Sequence, residues 1–103
     1  MSYDKALTAL ADPTRRQLFE MLANEPTNVA KLAAHFPISR PAISQHLKIL
    51  QDAQLVTARP HGAKRVYTID LTGLEAIRTY LEGFWDDALG AFAAEIQRQN
   101  KSH

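Results

Sequence analysis

Ser44-Gln45-His46, the carboxylate pair Asp86-Asp87 and the four histidines His35, His46, His61 and His103 are the residues whose types could do chemistry. Neighbouring side chains on a helix point about 100° apart. Ser44 to His46 therefore cannot act as a nucleophile held against its base, and Asp86 and Asp87 cannot face each other as general acid and base. No nucleophile elbow and no Gly-rich phosphate loop accompanies them. These residues do not describe an enzyme.

A metal centre is disfavoured by the same kind of argument. The 103 residues include no Cys, which removes thiolate ligands, Fe–S clusters, disulfides and thiol redox sensing together. The histidines form no i, i+3 or i, i+4 pair. Glu82 and Asp86 stand one turn apart with Asp87 adjacent, but a hard-oxygen set of that kind holds transition metals poorly and reads more simply as a solvated face. No metal and no cofactor is expected.

What remains is charge. The formal net charge is only +1, yet residues 36–67 carry Arg40, Lys48, Arg59, Lys64 and Arg65 against Asp52 alone, while the segment after them is acidic. A basic middle in a near-neutral chain suggests a face for a polyanion. The N-terminal Met1-Ser2-Tyr3-Asp4-Lys5 lacks the pattern of a signal peptide, and no stretch reaches the roughly 18 apolar residues of a membrane span. A cytoplasmic protein of one domain, residues 1–103, is expected.

The elements that must position these charges follow from local pattern. Ala6, Leu7, Leu10 and Ala11 give a helix over 3–11. Asp12 caps the next, Pro13 opens it, and Leu18, Met21 and Leu22 supply its core stripe to about Asn24. Val29, Leu32, Ala33 and Phe36 predict a third helix over 28–36, stopped by Pro37. Ser39 caps a fourth, over 40–53, where Pro41 is tolerated in the first turn. Two β-favouring segments then flank His61-Gly62-Ala63 as a hairpin, with Tyr67, Ile69 and Leu71 on one face. Thr72-Gly73-Leu74-Glu75 fits a capping box, so a last helix is expected from there to about Arg98, with a frayed end beyond it.

Two short helices, a tight turn and a basic hairpin make a winged helix-turn-helix: mainly α with a small β-hairpin, helices α1–α4, a β-wing and a long C-terminal helix. With Ile43, Leu47 and Leu50 inward, Pro41, Ser44, Gln45 and Lys48 face out. Ser44 and Gln45 can hydrogen-bond base edges, and Arg40 can reach guanine or a phosphate. Lys48 is placed for a phosphate. Ser39 is an N-cap whose hydroxyl can also touch a phosphate, and His46 sits nearer the core edge, where packing or a phosphate contact suits it better than base reading. At the hairpin tip Arg59, His61, Lys64 and Arg65 can grip phosphate or the minor groove, the bland alternative being a solvated turn.

The last helix has more apolar residues than one buried face can use. Leu74, Ile77, Leu81, Phe84 and Ala88 form one seam, and Trp85, Leu89, Phe92 and Ile96 a second. A partner chain is the simplest cover.

The segments Leu10-Ala-Asp-Pro-Thr-Arg-Arg-Gln-Leu at 10–18, Ser39-Arg-Pro-Ala-Ile-Ser-Gln-His-Leu-Lys at 39–48 and the hairpin ending Val66-Tyr67 resemble the ArsR-type bacterial transcriptional repressors over nearly the whole chain. Ser39, Arg40, Ser44, Gln45 and His46 match that family's recognition-helix motif. Pro37 stands where many members carry Gly. The resemblance implies a homodimer with the first and last helices at its interface, here Leu7 with Leu81, Phe84, Trp85, Ala88 and Phe92, and the fourth helix in the DNA groove; two-fold symmetry then makes a palindromic double-stranded DNA operator the expected partner. It also implies that the cysteines and last-helix ligands of the family's metal sensors are missing, so a metal-independent member is expected. For release, a small organic ligand, a protein antagonist and control by abundance are all compatible. The rival is a winged helix that binds another protein through its aromatic last helix, a role that has no need of the basic middle.

Overall fold

The computed structural model describes residues 3–101; Met1, Ser2, Ser102 and His103 lie outside the described residues. The element order is α1 (Tyr3–Ala11), α2 (Pro13–Asn24), α3 (Val29–Ala33), α4 (Arg40–Asp52), β1 (Val56–His61), β2 (Lys64–Ile69) and α5 (Leu71–Lys101).

Caps written in the sequence set most boundaries. The Asp12 carboxylate accepts from the Arg15 amide at 3.0 Å and starts α2, while the guanidiniums of Arg15 and Arg16 donate backward to the carbonyls of Ala9 and Leu10 and close α1. One short segment thus ends one helix and begins the next. Asn28 and Ser39 cap α3 and α4 in the same way. At the end of α4, Gln54 takes a left-handed φ of 59°, so that its amide bonds Gln51 and the Leu55 amide reaches the Leu50 carbonyl, a Schellman closure made without glycine.

β1 and β2 pair antiparallel with Val56 opposite Ile69 and His61 opposite Lys64. That register leaves a two-residue loop, Gly62-Ala63, whose glycine has φ +64° as the tight hairpin turn demands. The linker before α3 adds one more rung: Thr27 and Tyr67 exchange both backbone bonds.

Leu18, Leu22, Leu32, Ile43, Leu47, Leu50, Leu55 and Val56 are fully buried and form the core with Ala6, Ala9, Tyr67 and Ile77. α5 joins it only through its first turns. The radius of gyration is 19.3 Å and the extents are 71 × 26 × 21 Å, against about 13 Å for the radius of a compact chain of this size. The excess is α5, whose residues from Arg78 to Asn100 are exposed.

Five boundaries differ from the sequence reading, the first being the start of α3 at Val29, with Asn28 as its cap and not its first residue. α3 stops at Ala33 because His35 and Phe36 turn tightly onto Leu32 and Ala33, and Phe36 tucks half-buried against the core instead of extending the helix. α4 ends at Asp52, one residue early. Asp70, not Thr72, caps α5, accepting from the Thr72 amide at 2.9 Å; Leu71 is therefore the first helical residue and exposed, not a third member of the β2 face. Glu75 is drawn to Arg78 and makes no capping box. The helix also continues through Gln99 to Lys101 where fraying was expected.

Candidate nucleic-acid interface

α4 shows a sharp division of faces. Ile43, Leu47 and Leu50 are buried, while Arg40, Pro41, Ser44, Gln45 and Lys48 are exposed. Ser39 holds the N-cap, its hydroxyl accepting from the Ala42 amide at 3.3 Å. Arg40 follows at the first helical position.

The packing of α3, α4 and the hairpin opens a cleft of about 610 Å³. Arg40, Ser44 and Lys48 line one wall and Lys64 and Arg65 the other, with Tyr67 and the small side chains of the α3 start between them. No carboxylate lines it. Lys48 pairs with Asp52 at 3.6 Å, but both side chains are well exposed, so the pair is worth roughly 0–1 kcal/mol and yields readily to a stronger anion.

The remaining candidates stand outside the cleft. Gln45 is exposed on the next face of α4, and Arg59 and His61 lie exposed along β1 toward the tip. His46 is half-buried, and its Nδ1 is fully buried without a hydrogen-bond partner. That leaves the other ring nitrogen as its means of contact with anything outside, and sets packing ahead of base reading for this residue. The cleft also includes Asn28 and Gln51, which the sequence reading passed over. Gln51 continues the row of Ser44 and Lys48 at helical spacing and could have been found that way. Asn28 could not, because only the packing of α3 brings it there.

The Arg15 amide bond to Asp12 holds that carboxyl below its usual range, with the Arg15 and His46 charges adding to the effect. On α5 the Glu82 carboxylate, 2.9 Å from Arg78 Nε and helped by Glu75, holds the Arg78 guanidinium in its charged form.

The opposite end of the molecule is apolar. Leu81, Phe84, Trp85, Ala88 and Phe92 are all exposed, Trp85 at 63% and Phe92 at 64%, and Leu7 on α1 is exposed too. Leu74, Ile77, Leu81, Phe84 and Trp85 line an open groove of about 640 Å³ edged by Arg78, Glu82 and Asp86. Tyr3 and Tyr80 stack at 4.1 Å between centroids and fasten α1 to α5 beside it. Among the described residues there is no group of three His, Asp or Glu arranged to hold a metal ion, and no helix long and apolar enough to cross a membrane.

Residues 12–58 match the model of the bacterial regulatory protein, arsR family. The chain is 52% identical over 98 residues to the HTH-type transcriptional regulator Rv2034 of Mycobacterium tuberculosis, covering 95% of this chain and 92% of that one. It is 34% identical over 85 residues to the arsenical resistance operon repressor of Staphylococcus xylosus, covering 80% and 82%. Among solved structures, a possible transcriptional regulator for arsenical resistance superposes with a TM-score of 0.71 at 46% identity, over 86% of this chain and 93% of the other.

Proposed function

The chain belongs to the arsR family of bacterial regulatory proteins, DNA-binding transcriptional regulators and not enzymes, and on that footing we propose that it is a homodimeric, metal-independent repressor of a palindromic operator. One winged helix-turn-helix domain carries the whole activity. α4 lies in the major groove with Ser44 and Gln45 toward base edges and Arg40 toward guanine or a phosphate; Ser39, His46, Lys48, Arg59, His61, Lys64 and Arg65 hold the backbone. Occupancy of the operator blocks transcription.

The observation that carries this reading is the cleft in which Arg40, Ser44 and Lys48 meet Lys64 and Arg65 with no carboxylate among its lining residues. A helix and a wing that share one basic concavity can take the groove and its flanking phosphates together. The homodimer is supported by the exposed apolar face of α5 and by the exposed Leu7 on α1, too large a surface to leave in water. Two-fold symmetry then sets the two α4 helices about 34 Å apart, one turn of DNA. Metal independence is supported by a sequence without Cys and by histidines that never pair at helical spacing. A cytoplasmic setting follows from the operator as target.

The test is selection of bound duplexes from a random DNA pool by purified, chelator-treated protein. Enrichment of an imperfect palindrome is the expected result. Failure to enrich any sequence would overturn the reading and favour the exposed aromatics of α5 as a surface for another protein.

A further inference from the structure

We propose that the cleft between α4 and the wing is a site for two neighbouring phosphate groups, filled by an operator strand on DNA and by a free pyrophosphate-type ligand off it, so that such ligands compete with the operator. This rests on the reading that α4 and the wing face DNA, and adds a chemical class of effector to it.

Three features carry the assignment. The first is charge. Arg40 and Lys48 on one wall and Lys64 and Arg65 on the other supply four cations, and no carboxylate lines the space between them. A monocarboxylate would leave that charge largely uncompensated, whereas a pair of phosphates matches it. The second is reach. Arg40, Ser44 and Lys48 lie one helical turn apart on the same face, a row of about 12 Å, with the Ser44 hydroxyl as the neutral donor at its centre. Asn28 spends its carboxamide oxygen on the Lys31 amide, which leaves its NH₂ as a donor at the far edge. The third is shape. At about 610 Å³ the cleft is an open concavity whose volume falls within the roughly 300–1,000 Å³ of small-molecule sites.

The test uses inorganic pyrophosphate as the probe. Its binding to the DNA-free protein is measured by calorimetry, and its displacement of a labelled duplex by fluorescence anisotropy, with sodium chloride at equal ionic strength as the reference. Pyrophosphate is expected to bind and to displace DNA well beyond the chloride effect. The double variant Lys64→Ala/Arg65→Ala should bind it on the order of tenfold more weakly, whereas Lys31→Ala, outside the cleft, should bind as the parent does, with circular dichroism confirming that both are folded. Displacement no greater than that by chloride, or unchanged pyrophosphate affinity in the double variant, would overturn the proposal while leaving DNA binding intact. Cleft-dependent pyrophosphate binding by a protein that takes no duplex would instead support this site and sink the operator reading.

Discussion

The Gly73 amide donates to the Gln54 carbonyl at 2.8 Å, joining the first turn of α5 to the end of α4 backbone to backbone. A Cβ on Gly73 would stand 2.5 Å from the Ala53 carbonyl oxygen and 2.9 Å from that of Gln54, and neither backbone atom can swing aside as a flexible side chain would. Gly73→Ala should therefore destabilise the fold by about 1–3 kcal/mol through overpacking, read as a lower urea midpoint at unchanged m-value. An unchanged midpoint would show that α5 shifts freely against α4.

Asp12 joins α1 to α2 and has its carboxyl held below the usual 3.8 by the Arg15 amide. A carboxyl depressed on folding contributes stability that is complete above its unfolded value and is lost as pH falls through the lower folded value. Asp12→Asn keeps a capping oxygen and removes the charge. The variant should melt below the parent at neutral pH, and the gap should close as acid protonates Asp12. A gap that persists in strong acid would mean that the charge is not what the cap contributes.

Much of this architecture was legible in the chain, because capping residues, Pro positions and apolar spacing are local signals. Asp12 and Ser39 lead into helices as their chemistry requires. The misses arose where two local signals competed or where packing decided. Asp70 and Thr72 both offer an N-cap, and Asp70 prevails because it stands at the end of β2 with its amide already bonded to Leu55. Phe36 satisfies a helical spacing, yet the core draws it in by a tighter turn. The individual cations were legible in the same way; the cleft that groups four of them and leaves Arg59 and His61 outside is a product of tertiary packing.

Gln45 and Lys64 separate base reading from backbone grip. Gln45→Ala should cost about 1–3 kcal/mol on the selected operator and little on a scrambled duplex. Lys64→Ala should weaken both alike and reduce the slope of log affinity against log salt by about one. Equal weakening of every duplex by Gln45→Ala would take Gln45 off the base edges, and an unchanged salt slope for Lys64→Ala would take the hairpin off the phosphates.

Trp85 is 63% exposed in the single chain, on the apolar face of α5. Trp85→Glu places a charge where the two copies are proposed to meet, and an unpaired charge is costly to bury. Light scattering should find dimers for the parent and monomers for the variant at the same concentration. A variant of undiminished dimer affinity would put Trp85 outside the interface.

The central claim, sequence-specific DNA binding without metal, is tested most directly by titrating chelator-treated protein against its selected duplex and a scrambled one at two salt concentrations. A preference on the order of 10³-fold or more for the selected duplex, with affinity falling steeply as salt rises, is the predicted result. Equal, weak binding to both duplexes would contradict it.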